Sequence, residues 1–316
     1  TNGYVSPEYF CDREKETAKI VSLLTNENNI ALISPRRLGK TDLLRHCFGQ
    51  PEIKEHYHTF IIDIYATSSV RDFVNVFGKA VLDELRPKGK SVWSTFLNVL
   101  ASLRSEITFD MNGQPTWGIG LGAITNPSAT LDEIFSYLNN AGKPCLIAID
   151  EFQQITKYAD DPNIEAALRT HIQRCSNAHF VFSGSHRHLM GAMFTSPTRP
   201  FYQSVTLINL PPISVDKYAE FCLKHFERAS KLLDTLVVTE LYERFNGITS
   251  YMQKVMNILF SMTGTGEICI PSMIDTAIND LLDFSADTYD ALLYQMPEKQ
   301  RIVFMAIAAE GKAKAI

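Results

Sequence analysis

The sequence predicts an α/β protein, a parallel β-sheet flanked by helices and followed by a helical C-terminal region. Three observations predict it. Ile30, Ala31, Leu32 and Ile33 form a short apolar run of the kind that fills a sheet covered on both faces, and the run passes directly into SPRRLGKT. Cys145 to Ile149 is a second such run, and it ends abruptly in Asp150 and Glu151. Beyond Pro211 and Pro212 the strand-like runs stop and only helical spacing continues.

Taken in order, Asp12 to Leu24 has helical spacing and precedes the first strand. Pro35 breaks the ladder, Arg36 to Gly39 make a turn, and Thr41 to Cys47 open a helix. Thr59 to Tyr65 is a second core strand, and Ser69 to Asp72 offers a capping box for a helix reaching about Leu85. Ser91 to Leu103 reads as helix. Residues 106–124 hold Gly113-Gln114-Pro115 and three further glycines among aromatic and β-branched residues, which predicts an inserted hairpin. The WGIGLG stretch within it neither follows a buried strand nor opens a helix, so it reads as hairpin or loop and not as a dinucleotide fingerprint. Helices over Ala129–Ala141 and Asn163–Cys175 bracket the acidic strand; strands over His179–Ser185 and Ser204–Leu210 follow. The C-terminal helices are expected at Ser214–Arg228, Thr235–Phe245, Ser250–Met262, Pro271–Phe284 and Glu298–Ala309. Met252, Met256 and Met262 recur at helical spacing, as core packing does.

The chemistry is concentrated in two places. A strand, a tight loop and a helix start in that order gather backbone N–H groups and the positive end of a helix around one point, which suits a phosphate chain. SPRRLGKT matches G-x-x-x-x-G-K-[ST] except that Ser34 stands at the first glycine. Ser34, Pro35, Arg36, Arg37, Leu38, Gly39, Lys40, Thr41 and Asp42 are then the nucleotide-binding set, with Lys40 on the outer phosphates and Thr41 on a magnesium ion. Asp150, at the rim of the sheet, pairs with Thr41 on the metal, and Glu151 is placed to act as general base toward a water. At the end of HFVFSGS, a hydroxyl of Ser183 or Ser185 either senses the terminal phosphate or belongs to an ordinary turn; Ser183 is the sensor candidate.

Composition limits the alternatives. The 316 residues suffice for about two domains, and 45% apolar with 21% charged residues is ordinary for a globular chain. A net charge of −5 carries no global nucleic-acid footprint. The six cysteines are scattered without metal spacing, which predicts reduced thiols in a cytoplasmic protein. No export signal or membrane-spanning run is read. His56-x-His58 and His186-x-His188 read as solvated histidines, and Asp63 as a solvated or capping acid.

These motifs carry a family resemblance. Tyr9 to Glu16 (YFCDREKE), SPRRLGKT, IDEFQ, FSGS, the passage from Pro200-Phe201-Tyr202 to Leu210-Pro211-Pro212, and FNGITSYMQ from Phe245 occur in the order and spacing of the archaeal-type ATPases. The chain thus resembles a branch of the AAA+/STAND P-loop NTPases. The resemblance implies a P-loop ATPase core at 1–212, an all-helical lid at 213–287 and, at 288–316, the start of a winged-helix domain that the sequence is expected not to complete. It implies ATP and Mg2+ as ligands, Lys40 and Glu151 as catalytic residues, and Arg13 with the Tyr9–Phe10 aromatics beside adenine. Two departures stand out: Ser34 in the loop, and Gln203 where relatives often carry arginine, which leaves Arg187 and Arg199 as candidates for a finger.

Three functional readings follow. The first is an ATPase switch coupling ATP binding and hydrolysis to lid motion and a signalling or remodelling step. The second is a nucleotide-dependent regulator with little turnover, and the third a DNA-binding protein. Besides ATP and ADP, a homo-oligomer or protein partner is open; DNA enters only through the rest of the winged-helix part, and no membrane partner is expected.

Overall fold

Two short loops, at the ends of β1 and β5, carry the Lys40–Thr41 and Asp150–Glu151 pairs, and the order of the strands sets where they lie. A computed structural model describes residues 9–85, 107–109, 115–117 and 126–310. In chain order the first part holds α1 (Glu14–Thr25), β1 (Ile30–Ile33), α2 (Lys40–Phe48), α3 (Pro51–His56), β2 (His58–Asp63), α4 (Val70–Glu84), β3 (Ile107–Phe109) and β4 (Pro115–Trp117). It continues with α5 (Pro127–Asn139), β5 (Cys145–Asp150), a 3-10 turn (Phe152–Lys157), α6 (Ile164–Arg174), β6 (Ala178–Gly184), α7 (Arg187–Thr195) and β7 (Thr206–Asn209). The strands of the main sheet run in the order β2-β5-β6-β1-β7, all parallel, with Ile30 opposite Val181 and Ile147 opposite Phe180.

Every residue of β1, β5 and β6 is buried, whereas the edge strands β2 and β7 are only partly so. That is why the central strands read as unbroken apolar runs: helices cover both faces. One face packs Ile30, Leu32, Leu146, Ala148 and Val181 against Ile20 and Leu24 of α1 and Leu43, Leu44 and Cys47 of α2. The other packs Ile147, Phe180 and Phe182 against Phe73 and Phe77 of α4, Phe135 of α5 and Leu168 of α6. Phe152, Phe182, Phe194 and Phe201 form an aromatic knot on that side, with ring centroids 4.4 to 6.1 Å apart. Truncating a fully buried member such as Phe182 to Ala costs roughly 3–5 kcal/mol.

Local signals hold with small shifts. Ser69 caps α4 by accepting from Asp72 N at 3.1 Å, and the carboxylate of Asp72 accepts chiefly from Ser68, from its N at 2.9 Å and its Oγ at 2.8 Å, so the reciprocal half of the box centres one residue earlier. Those bonds hold the Asp72 carboxyl below the usual range. β3 and β4 pair antiparallel, Ile107 opposite Trp117, as the hairpin predicts. The expected helix over Ser91–Leu103 and the glycines of WGIGLG lie outside the described residues.

A second compact unit spans Ile213–Ile316. It contains α8 (Val215–Arg228), β8 (Leu232–Leu233), α9 (Thr235–Arg244), α10 (Thr249–Met262), β9 (Ile268–Cys269), a 3-10 turn (Pro271–Met273), α11 (Ile274–Gln295) and α12 (Glu298–Glu310). The expectation of helices alone is corrected by β8 and β9, which pair in parallel. Two-residue strands are too short to leave a period in sequence. α11 also runs on past Phe284 to Gln295, because nothing before Pro297 breaks it. Met252 and Met256 are buried as expected, but Met262 is 36% exposed. Among the described residues no helix is long and apolar enough to cross a membrane.

Candidate nucleotide-binding site

The loop after β1 is built by two left-handed residues and a long bond to the neighbouring strand. Arg37 (φ 68°) and Gly39 (φ 81°) turn the chain, and Gly39 then begins α2, its carbonyl accepting from Leu43 N at 2.9 Å. Glycine suits that conformation. Ser34 is not among the residues with positive φ, so its Cβ strains nothing. Its N–H donates to Gly184 O at 3.4 Å and its hydroxyl to Pro35 O at 3.0 Å. This accounts physically for a serine at the first position of the motif. Leu38 is buried and anchors the loop, while Pro35 and Asp42 are half-buried and Arg36 and Arg37 exposed.

Lys40 opens α2 and is only 7% exposed. Its Nζ donates to Ser34 O and Pro35 O, each at a long 3.3 Å. Burial pushes its pKa below the usual lysine value; Asp150 and Glu151 oppose that shift and Arg36 adds to it. The ammonium is thus held among weak acceptors, a setting in which a phosphate oxygen would be a better partner.

Beside it, Thr41 Oγ1 donates to Asp150 Oδ2 at 2.6 Å, and Asp150 Oδ1 accepts from Glu151 N at 3.0 Å. One hydroxyl and one buried carboxylate are hard oxygen donors of the kind that suit Mg2+. They make no closed cage: among the described residues no cluster of three or more His, Cys, Asp or Glu could hold a metal ion, the two His-x-His pairs included.

Glu151 sits at φ 55°, ψ 38°, a left-handed conformation unusual for a side-chain-bearing residue, at the start of the 3-10 turn. Its Oε2 accepts from Ser185 Oγ at 2.9 Å and from Gln153 Nε2. Arg36 Nε lies 3.4 Å from Ser185 Oγ, and the Arg36 guanidinium stands 5.4 Å from the Tyr65 ring centroid. Of the two hydroxyls left open by the sequence, Ser185 touches the acid, while the fully buried Ser183 Oγ finds no partner among the described residues. Asp63 serves a turn, its Oδ1 accepting from Tyr65 N at 2.8 Å.

On the N-terminal side, Phe10 stacks on His46 of α2 with ring centroids 4.0 Å apart. Burial holds the His46 pKa below its usual value, against the pull of Glu14. Arg13 is buried, and its guanidinium donates to Pro211 O at 2.7 Å and to Glu16 at 3.1 Å. Tyr9 is exposed. Of the arginines considered for a finger, Arg199 is paired with the buried Glu165, and Arg187 is exposed at the start of α7. Gln153 is the contact of the acids that motif reading passed over, although it stands two residues beyond Glu151 in IDEFQ.

No curated protein matches the chain in sequence. Among solved structures, a Walker-type ATPase of Pyrococcus abyssi superposes with a TM-score of 0.63 at 19% identity, covering 93% of this chain and 77% of that one. The Aeropyrum pernix ORC2 protein, solved with ADPNP and ADP, gives 0.57 at 14% identity over 89% and 70% of the two chains. The Aeropyrum pernix ORC1 protein in complex with DNA gives 0.56 at 13% identity over 96% and 73%. These likenesses concern the fold alone, a parallel sheet flanked by helices. The family described as an ATPase domain predominantly from Archaea matches residues 10–255. The chain therefore belongs to that ATPase family, and its activity is the binding and hydrolysis of ATP.

Proposed function

We propose that this protein is a Mg2+-dependent ATPase of the AAA+/STAND type whose hydrolytic site is the junction of the SPRRLGKT loop with Asp150 and Glu151. The observation that carries the reading is the 2.6 Å bond between Thr41 and Asp150, with Lys40 buried beside them and Glu151 next in the chain. Lys40 and the loop amides bind the phosphates. Thr41 and Asp150 would hold a magnesium ion, which when bound would neutralise charge on the phosphate oxygens. Glu151 orients a water and takes its proton as that water attacks the terminal phosphorus; the bond to the leaving oxygen breaks, yielding ADP and phosphate. The orphaned Ser183 hydroxyl is suited to a terminal phosphate or that water. Phe10 and Arg13 border the base.

Around this chemistry we place the coupling of nucleotide state to motion of the helical unit as a lid, in a signalling or remodelling step. With Arg199 engaged with Glu165, either Arg187 or an arginine from a second copy or a protein partner would complete the site. A winged-helix domain beginning near α12 would bring DNA within reach as a partner; one structural neighbour was solved with DNA.

The test is Glu151→Gln. It should bind ATP as the parent does and lose roughly 10²- to 10⁴-fold in single-turnover hydrolysis. Parental rates in that variant would overturn the assignment of Glu151 as base.

A further inference from the structure

Among the described residues Glu151 is held from one side only. Both of its side-chain bonds, from Ser185 Oγ at 2.9 Å and from Gln153 Nε2, fall on Oε2, and Oε1 takes neither. Two donors on one oxygen resist rotation about the last bond of the carboxylate and leave its other oxygen able to accept a proton.

Gln153 is an expensive way to provide one of those donors. The side chain is 4% exposed, and its Oε1 finds no partner among the described residues. A buried carbonyl without a donor is destabilising, and packing does not account for it. The amide fits only because residue 184 is glycine. A Cβ there would run into Gln153 Oε1 and stand 2.6 Å from Met190 Sδ and Cγ, although Gly184 itself is not in a left-handed conformation. The end of β6 thus does two things for one acid: Gly184 leaves room for Gln153, and Ser185 supplies the second donor. Glu151 in its left-handed turn is what brings Gln153, two residues on, back onto the carboxylate.

We infer that Gln153 is a positioning residue for ATP hydrolysis, which orients Glu151 so that Oε1 receives the proton of the attacking water. The inference rests on the reading of Glu151 as base. An amide suits the task because it donates to a carboxylate at any working pH, which a histidine would not.

The experiment is a cycle of Gln153→Met, Glu151→Gln and the double variant, with ATP affinity and single-turnover hydrolysis followed to hours. Gln153→Met keeps length and volume but has no donor. It should leave ATP affinity within twofold and lower the hydrolysis rate roughly 10- to 100-fold, the scale on which a mis-set reacting group acts. In the Glu151→Gln background the same change should cost nothing further, because the group it positions has gone. Gly184→Ala, which displaces the amide without altering Gln153, should lower the rate in the same sense with affinity retained. Parental turnover in Gln153→Met, loss of ATP affinity together with rate, or an equal fold-loss in the Glu151→Gln background would each overturn the inference. Parental turnover in Glu151→Gln alone would instead remove the base assignment beneath it.

Discussion

Thr41 Oγ1 and Asp150 Oδ2 lie 2.6 Å apart although 109 residues separate them in the chain. The bond joins the helix that follows β1 to the end of β5, two strands that are not neighbours, because β6 lies between them in the sheet. If this pair holds Mg2+, ATP affinity should fall on chelation with EDTA, and turnover should cease. In Thr41→Ala the dependence of turnover on magnesium should move to roughly tenfold or higher concentration, the effect of losing one ligand or its support. Titrating magnesium at fixed ATP reads both; a metal-independent rate would remove the ion from the mechanism.

Lys40 gives a prediction about stability. Its pKa is lowered in the folded protein, chiefly by burial, so below its unfolded value of 10.5 the unfolded chain holds more protons at this position. Stability from Lys40 therefore rises with pH between the folded and unfolded values, and its cost is fully present below the folded one. Lys40→Met should remove that upward slope and raise the melting temperature of the ligand-free protein near neutrality, while abolishing the shift produced by ATP. Thermal melts of both proteins from pH 7 to 10, with and without ATP, measure this. A lower melting temperature for Lys40→Met would mean that the buried ammonium stabilises the loop.

Arg199 and Glu165 give a second stability test. Burial raises the Glu165 pKa and Arg199 pulls it back, so the folded state retains a proton that the unfolded state releases, and stability falls as pH rises through that window. Arg199→Ala should deepen the fall. Because the arginine is about one-third exposed, the loss at neutral pH should be about 3 kcal/mol or less. Urea midpoints at pH 5 and pH 8 should differ more in the variant than in the parent. Unchanged midpoints would free Arg199 for a role in catalysis.

Phe10 is testable through the nucleobase. Phe10→Ala removes the stack on His46, so affinity for ATP should drop roughly fivefold, an aromatic stacking contribution of about 1 kcal/mol, while inorganic triphosphate binds unchanged. Equal losses for both ligands would put Phe10 at the phosphates or in the fold.

The parts of the site that could be read without coordinates are those set by short-range chemistry. SPRRLGKT declares a strand, a turn and a helix start within a dozen residues, and IDE declares an acid pair at a strand end. Which serine of FSGS meets Glu151 could not be read, because every position of β6 is buried and a strand covered on both faces leaves no alternation to follow. Gln153 was hidden for another reason. Its contact depends on the left-handed turn at Glu151 and on the empty space at Gly184, and a backbone conformation unusual for glutamate leaves no compositional mark.

The sequence by itself determined the α/β class, the strand–turn–helix at SPRRLGKT, the acid pair at a strand end and the family, since each rests on residue types at fixed local spacing. Only the tertiary structure decided that Thr41 bonds Asp150, that Ser185 and Gln153 grip one oxygen of Glu151, that Arg199 is engaged with Glu165, and that β8 pairs with β9. Those contacts come from the sheet order and from backbone torsions at single residues, and both are settled by how the whole chain packs.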